Sequence, residues 1–382
     1  MHPRAPLSTP RPSARLSALA ATAASLAAAA MALAPAPAGA CTTFRVRSQD
    51  GAWIVGRSME LGLVLQSQLM VVPRGFALSS TRPDLKPGTA WTTRYGFVGM
   101  NALHADVSND GMNEAGLSVG TLYFPGFVGY QPFPSDGRDA ISNLELSNWL
   151  LSRFATVDEV KAALPKVVVY DLTMPPAGPQ PLHWAISDAQ GGSIVVEYVG
   201  GKLLVHENPI GVLTNSPPFD WHMTNLRNHV NLTNLNVEPL RLGTVEILPL
   251  GQGSGLLGIP GDYTPPSRFV RATALAFSAA PVATALDGVN LAFHILNAVD
   301  IPIGAVAEKV VPKDGGPAKL AFEQTQWATV HDLQNRTCYF RTYGNLAIRK
   351  VDLRRLDFTG KRILHVPVST EMQVDDLTAQ AR

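Results

Sequence analysis

Alternating hydrophobic and polar residues run through the first third of the chain and predict β-strands. Residues 41–46 and 52–58 alternate in this way on either side of a turn at 48–51, in which Asp50-Gly51 is a hairpin signal. Further stretches of strand character follow at residues 68–72, 92–98 and 116–122, the last after a turn-like Asn-Asp-Gly at 109–111. Since short strands joined by turns pair antiparallel, we expect mainly antiparallel sheet here.

In the middle of the chain the apolar residues recur at the spacing of a helix. Residues 142–154 space their apolar side chains by three and four, and residues 156–159 form a capping box for a second helix that Pro165 ends. Strand character returns at residues 167–170, 183–187, 193–198 and 203–207, and helices are predicted at 220–226, 268–278 and 289–296. Residues 248–266, rich in Gly, Pro and Leu without a period, are interpreted as an ordered loop or lid.

The last part of the chain is again strand-like, at residues 324–332, 337–342 and 347–352, before a polar tail. The predicted elements come in the order strands, helices, strands, helices and strands. This order predicts an α+β fold with two antiparallel sheets and helices outside them. Neither an internal repeat nor a linker divides the sequence, so we predict a single domain over residues 41–382.

Composition and charge exclude some classes of protein. Hydrophobic residues make up 46% and charged residues 16% of the chain, which is enough apolar material for a large core and too little charge for disorder. The formal net charge is +1 and no stripe of Lys and Arg runs along the sequence. Nucleic acid is therefore excluded as a partner.

The first forty residues have the form of an export signal. A basic start without acids is followed by an Ala and Leu run at residues 16–33 and by Ala38-Gly39-Ala40, the small-residue pattern that signal peptidase requires. We predict that residues 1–40 are a signal peptide and that the protein is periplasmic or secreted. Two alternatives are an uncleaved membrane anchor and a lipoprotein signal with a diacylglyceryl group on Cys41.

Removal of residues 1–40 leaves Cys41 with a thiol nucleophile and a free α-amine on one carbon. The α-amine has an ordinary pKa of roughly 7.7 to 8.0, so it can take the thiol proton near neutrality. A residue with both a nucleophile and a free α-amine is the least that an N-terminal-nucleophile hydrolase requires. The chain has one other cysteine, Cys338, and we predict that both thiols are free because a disulfide would block the nucleophile.

Several motifs resemble those of a known family and occur in its order along the chain. They are Cys41-Thr42-Thr43-Phe44, Gly56-Arg57-Ser58-Met59-Glu60, Asp110-Gly111-Met112-Asn113-Glu114-Ala115-Gly116-Leu117, Thr214-Asn215-Ser216-Pro217, Pro266-Ser267-Arg268-Phe269 and Thr325-Gln326-Trp327. In these the sequence resembles the choloylglycine hydrolase and penicillin V acylase family of N-terminal-nucleophile (Ntn) hydrolases. The resemblance implies a four-layer αββα sandwich, hydrolysis of linear N-acyl amides through an acyl-thioester, and no metal or organic cofactor.

The resemblance also implies roles for individual residues. Cys41 matches the nucleophile, and Arg57 matches a cation that favours the thiolate. Asn215 and the backbone N–H of Tyr123 match the donors to the oxyanion, and Arg268 matches a second arginine near the site. Taken by themselves, Arg57 at a strand end and Asn215 in a turn are also ordinary structural positions.

Glu60 departs from the family pattern, which usually has an aspartate at this position to hold the α-amine. Glutamate keeps the charge but is one methylene longer, so its contact with the amine must be built differently.

A papain-like pairing of Cys41 with a histidine is an alternative mechanism. Its candidates are His104, His183, His222, His294 and His331. No motif selects one of them, and their spacing does not indicate a metal site.

The sequence predicts the substrate less precisely than it predicts the reaction. Tyr123 stands where bile salt hydrolases tend to have asparagine and penicillin V acylases tyrosine, so the resemblance favours penicillin V, with bile salts and acyl-homoserine lactones as alternatives. Residues 61–65 and 124–128 could line an acyl pocket or belong to the core. The resemblance also makes a homotetramer plausible, and from a different class the chain could be a lipid-anchored binding protein without catalytic activity.

Overall fold

The computed structural model describes residues 39–174, 178–310 and 316–381 of the chain. Of the predicted signal peptide, residues 1–38 lie outside the described residues. Within the described ranges, no helix is both long and apolar enough to span a membrane.

The strands and helices follow in chain order. The strands are β1 (Ala40–Arg47), β2 (Trp53–Leu61), β3 (Gln68–Val72), β4 (Ala77–Thr81), β5 (Pro87–Thr92), β6 (Phe97–Met100), β7 (Asp110–Asn113), β8 (Ser118–Tyr123), β9 (Ala140–Ser142), β10 (Val168–Tyr170), β11 (Leu182–Ser187), β12 (Ser193–Val199), β13 (Lys202–Glu207), β14 (Leu240–Leu242), β15 (Val245–Ile247), β16 (Val306–Val310), β17 (Lys319–Asp332), β18 (Thr337–Thr342), β19 (Asn345–Asp352) and β20 (Leu364–Pro367). The α-helices are α1 (Leu146–Arg153), α2 (Val157–Ala163), α3 (Phe219–Asn225), α4 (Pro265–Ser278) and α5 (Ala285–Asn297).

Two antiparallel sheets form the centre of the molecule. The first has the strand order β1-β2-β17-β18-β19, with β16 paired to β17, and the second has the order β13-β12-β11-β8-β7-β6-β3-β20. The central strands of both sheets are buried along most of their length, and β2, β7 and β17 bury charged and polar side chains there as well as apolar ones. The predicted hairpin at 48–51 joins β1 and β2.

The side chains of β3 show how the layers are arranged. Leu69 and Val71 belong to the core shared with the first sheet, whereas Met70 and Val72 point the other way and pack with the residues of α1 and α2. On the far side of the first sheet, Gly288 of α5 lies against Ile54 of β2. The layers are therefore helices, sheet, sheet and helices, and the predicted αββα architecture is confirmed.

Two local predictions are wrong. Residues 92–98 are not one strand. The backbone N–H groups of Arg94 and Tyr95 donate to Ser152 O and that of Gly96 donates to Glu114 Oε1, so the chain leaves the sheet of β5 before it enters that of β6. The turn expected at 109–111 is instead the start of β7. Gly111 fits there because a Cβ would lie only 2.5 Å from the carbonyl oxygen of Val98.

Candidate active site

The register of the first hairpin places Cys41 inside the molecule. Cys41 is the second residue of β1, pairs with Met59 of β2 and is 2% exposed. Its Sγ lies 3.7 Å from Met59 Sδ and 3.8 Å from Arg57 Nη2. Because Arg57 and Met59 are two residues apart on β2, both point to the same face as the thiol.

Arg57 is held rigidly between the two sheets. Its guanidinium is 1% exposed, donates from Nη2 to Thr121 O at 2.5 Å and lies 4.8 Å from the ring centre of Trp327. Gly120 of β8 permits this approach, since a Cβ there would be 3.3 Å from Arg57 Cδ. A fixed cation therefore lies beside the thiol, and Arg57 is not a surface residue.

Asn215 lies on a segment that pairs with β1. Thr43 and Leu213 exchange two backbone hydrogen bonds, of 2.8 and 3.0 Å, which bring the Asn215 side chain to Cys41. Asn215 Oδ1 accepts from the Cys41 backbone N–H at 2.8 Å, and its Nδ2 donates to Tyr123 O at 2.8 Å. The amide carries a second N–H that can donate to another acceptor.

Arg268 connects helix α4 to this group. Its Nη1 donates to Cys41 O at 2.5 Å and to Thr42 Oγ1 at 2.7 Å, and its Nη2 donates to Asn215 Oδ1 at 2.7 Å. It is fully buried in the first turn of the helix, where a cation opposes the helix dipole. Burial lowers the pKa of Arg268, and the carboxyl groups of Glu60 and Glu323 oppose that change.

Glu60 lies opposite Ala40 in the β1–β2 ladder and is fully buried. Its Oε1 accepts from Thr325 Oγ1 at 3.2 Å, while its Oε2 has no hydrogen-bond partner among the described residues. Burial raises the pKa of Glu60 to about 7, against the opposing effect of Arg268. The backbone of Glu60 lies opposite the residue that precedes Cys41.

The environment of the thiol has two opposing effects on its pKa. Burial raises the pKa of Cys41, while Arg57, Arg268 and the backbone N–H of Tyr123 lower it. The Tyr123 N–H thus faces the sulfur. All six residues predicted for the site (Cys41, Arg57, Glu60, Tyr123, Asn215 and Arg268) come together here.

Two buried clusters of titratable side chains behind the site were not predicted from the sequence. Asp110 of β7 lies between Arg57 and His331 of β17, and Glu197 of β12 contacts His183 of β11 at 3.1 Å. His183 Nε2 in turn donates to Thr214 O at 3.0 Å, next to Asn215. The available signal was a charged residue within an otherwise apolar strand, as in the Ser193–Val199 segment.

No histidine hydrogen-bonds the Cys41 thiol in the part of the chain that the structure describes, so the papain-like alternative has no partner there. His222 shows why burial alone is not evidence for catalysis. It donates from Nε2 to Asn215 O at 2.8 Å and stacks on Phe269, and burial lowers its pKa to about 4. Across the described ranges no group of three or more His, Cys, Asp and Glu residues could hold a metal ion.

Known proteins of similar sequence and structure identify the family to which this chain belongs. The model of the linear amide C–N hydrolases, choloylglycine hydrolase family, matches residues 41–366. The chain belongs to this family. Choloylglycine hydrolases act on C–N bonds in linear amides, so the protein is a hydrolase of that kind, and the resemblance predicted from the motifs is confirmed.

Relatives within the choloylglycine hydrolase family include enzymes named for two substrates. The chain is 36% identical over 330 residues to a bile salt hydrolase/transferase of Clostridium perfringens, covering 85% of this chain and 95% of the relative. A solved structure of a mutant conjugated bile acid hydrolase from the same organism superposes with a TM-score of 0.77 at 33% identity, covering 88% of this chain and all of that one. Penicillin V acylase from Agrobacterium tumefaciens has a TM-score of 0.67 at 26% identity, covering 86% and 91% of the two chains. The Ntn-hydrolase fold is confirmed.

Proposed function

We propose that the protein is an exported amidohydrolase whose nucleophile is Cys41 at the mature N-terminus. The observation that carries the proposal is the convergence of Arg57, Asn215 and Arg268, from three distant parts of the chain, on Cys41. The start of the family match at residue 41 supports the same boundary. The roles of the individual residues are part of this proposal.

The proposed reaction uses the two functional groups of Cys41. The α-amine takes the thiol proton, and the thiolate attacks the substrate carbonyl carbon. The oxyanion accepts hydrogen bonds from the Tyr123 N–H and the Asn215 amide. The α-ammonium protonates the leaving nitrogen, the amine departs and an acyl-thioester remains. Water then attacks the thioester while the α-amine takes its proton, which releases the carboxylic acid and regenerates the thiol.

We assign the protein to the periplasm or the extracellular space on the strength of the sequence signal before Cys41. Burial argues against the lipoprotein alternative. The Cys41 Sγ lies between two packed sheets in a residue that is 2% exposed, and a diacylglyceryl group on it would have to separate them. A lipid-anchored binding protein would also leave the buried arginines around the thiol without a function.

For the substrate we propose an N-acyl amide with a bulky apolar acyl group, with penicillin V first and conjugated bile salts second. Relatives named for both substrates and Tyr123 at the oxyanion position support this choice. Of the stretches predicted to line the acyl pocket, Leu65 and Phe124 are buried in the core, whereas Val64 and Phe127 are 64% and 42% exposed. The exposed members are the ones available to an acyl group.

The proposal is tested on exported protein. Intact-mass analysis should show a chain that begins at unmodified Cys41, and Cys41→Ala should abolish hydrolysis while the folded state persists. A parallel assay on penicillin V, glycocholate and a long-chain acyl-homoserine lactone then identifies the substrate. A fully active enzyme with another N-terminus, or a diacylglyceryl group on Cys41, would contradict the proposal.

We also propose that the protein assembles as a homotetramer. The hairpin of β14 and β15 supports assembly, because Leu240, Leu242, Val245 and Ile247 are all 48–59% exposed on it. Apolar side chains concentrated on a short projecting hairpin are typical of a contact with another copy.

A further inference from the structure

Three charged groups lie in a row behind the Cys41 thiol. Arg57 Nη2 is 3.8 Å from the sulfur, and Arg57 Nε is 3.8 Å from Asp110 Oδ1. Asp110 Oδ2 lies 3.2 Å from His331 Nε2 and accepts from Thr329 Oγ1 at 2.7 Å. All three charged side chains are at most 2% exposed, so water does not screen them.

The position of Asp110 creates an electrostatic problem for the thiol. A buried carboxylate beside Arg57 would cancel much of the guanidinium charge at the sulfur, because the attraction between buried charges is strong at such distances. The useful effect of Arg57 on the thiolate would then be lost. The carboxylate, however, makes its shorter contacts with His331 and Thr329 rather than with Arg57.

The hydrogen bonds of His331 fit a doubly protonated ring. Nε2 faces the Asp110 carboxylate, and Nδ1 lies 2.9 Å from Ser118 Oγ, a hydroxyl that can accept. Burial acts against the charged ring, but the Asp110 carboxylate and Cys338 outweigh it and raise the pKa of His331 to about 10. Burial likewise acts against ionised Asp110, yet His331 and Arg57 hold the pKa of that carboxyl below its usual range.

We propose that His331 is a positioning residue for the hydrolysis: as an imidazolium it neutralises Asp110 and so leaves the Arg57 charge free to stabilise the Cys41 thiolate. The row then carries two positive charges and one negative charge, a net positive charge directly behind the nucleophile. The inference rests on the proposed role of Cys41. The other groups that act on the thiol are Glu60, Arg268 and the Tyr123 N–H.

The charge balance can be tested with three variants of the full mature enzyme. His331→Gln keeps a donor near Asp110 but removes the positive charge, Asp110→Asn removes the negative charge, and the double variant removes both. The readout is the rate of Cys41 alkylation by iodoacetamide against pH, with the alkylated cysteine identified by mass spectrometry. Thermal unfolding and circular dichroism establish that each variant is folded.

The variants are expected to behave non-additively. His331→Gln should move the alkylation midpoint up by about one pH unit, equivalent to about tenfold slower alkylation below the midpoint. Asp110→Asn should not raise the midpoint, and the double variant should return it to the wild-type value while kcat partly recovers at unchanged KM. A purely structural role predicts a double variant at least as impaired as His331→Gln, and that result would overturn the proposal.

A measurement on the unmodified enzyme does not depend on any variant folding. Nitrogen-15 NMR of the imidazole at pH 8 should show both ring nitrogens of His331 protonated, and a neutral ring would refute the proposal. Neither the alkylation rate nor the NMR measurement requires amide turnover. Full activity of Cys41→Ala would therefore contradict the proposed function, whereas the protonation state measured for His331 would stay the same.

Discussion

Glu60 is the residue whose surroundings would change most on the proposed cleavage before Cys41. In the uncut chain its carboxyl lies opposite Ala40, is fully buried and has an Oε2 without a partner among the described residues. Cleavage before Cys41 puts a positively charged α-amine at the adjacent ladder position. We expect the side chain of Glu60, which is longer than the family aspartate, to contact this α-amine, a cation that the uncut chain lacks.

Glu60→Gln in the mature enzyme should lower kcat substantially, by about tenfold or more, because an amide no longer holds and orients the ammonium group. Folding should be little affected, since glutamine fills the same volume. Steady-state kinetics with a thermal unfolding control measure both effects. Unchanged kinetics would mean that another group holds the amine.

The uncut chain should lose stability as the pH rises from about 4.5 to about 7. The folded-state pKa of Glu60 is raised from 4.5 to about 7, so the folded state binds more protons than the unfolded state in this interval, and stability falls with pH. Glu60→Gln should flatten this slope. Urea unfolding of chain produced without export, followed from pH 4 to pH 8, tests the prediction, and equal slopes for the two proteins would contradict it.

The residues that contact the thiol could be predicted from motifs, but the groups behind them could not. Arg57 and Glu60 lie within twenty residues of Cys41, and their motif fixes their strand register. Asp110 and His331 are more than two hundred residues apart, and only the packing of the second sheet on the first brings them together. Their pairing has no local signal in the sequence.

At the scale of elements, the β1–β2 hairpin depends on one close contact. Gly56 lies beneath the ring of Phe44, and a Cβ on it would be 2.7 Å from Phe44 Cζ. Gly56 also precedes Arg57, so any shift of β2 moves the guanidinium relative to the thiol. The two strands can therefore hold the nucleophile rigidly only while position 56 has no side chain.

Gly56→Ala should destabilise the fold by about 1 to 3 kcal/mol through overpacking and should lower kcat through displacement of Arg57. Gly62→Ala is the matched control, because a Cβ there meets Ala321 Cβ at an ordinary 3.4 Å. Chemical denaturation and kinetics of the two variants are compared. Equal behaviour of the two would show that the Phe44 contact is not limiting.

Strands β11 and β12 position the Asn215 segment through a buried His183–Glu197 contact. His183 lies between the Glu197 carboxylate and the Thr214 carbonyl, with Nδ1 3.1 Å from the first and Nε2 3.0 Å from the second. Burial alone would raise the pKa of Glu197, but its hydrogen bond with His183 and the nearby His206, 3.6 Å away, lower it to about 2.

Glu197→Gln should cost about 3 kcal/mol of stability at neutral pH, because it breaks a buried charge pair. The folded-state pKa is depressed, so the contribution of Glu197 is present above about pH 4.5 and is lost as the pH falls toward about 2. The wild type and the variant should therefore converge in acid. Urea unfolding at pH 7 and pH 3 measures this, with Glu207→Gln on the exposed strand β13 as the control. A pH-independent difference would refute the charge-pair explanation.

Most of the predicted elements are confirmed because both sheets are covered and their apolar positions are regular. The failures lie where tertiary contacts override the local pattern, as at Gly96, whose N–H donates to Glu114 rather than to a neighbouring strand. The pair β4 and β5 was missed as well. Short hairpins at the edge of a fold bury few side chains and leave a weak alternation in the sequence.

At the scale of the whole molecule, the exposed hairpin of β14 and β15 should decide the assembly state. Leu242→Glu places a charge where the proposed tetramer buries an apolar side chain that is 57% exposed in the single chain. It should yield smaller species in light scattering coupled to size-exclusion chromatography. Met372→Glu, at another exposed apolar position, is the control and should leave the mass unchanged. A wild-type protein that is monomeric would contradict the assembly proposal.

The position of Gly39, near the end of the predicted signal peptide, bears on whether the uncut chain is active. Gly39 packs so closely on Tyr123 and Leu61 that a Cβ on it would lie 3.2 and 3.4 Å from their side chains. Tyr123 is the residue to which we assign the oxyanion contact, so in the uncut chain Gly39 lies beside the proposed oxyanion site. We therefore expect the proposed cleavage to do two things at once: it frees the α-amine of Cys41 and clears the space beside Tyr123, so the uncut chain is expected to be inactive.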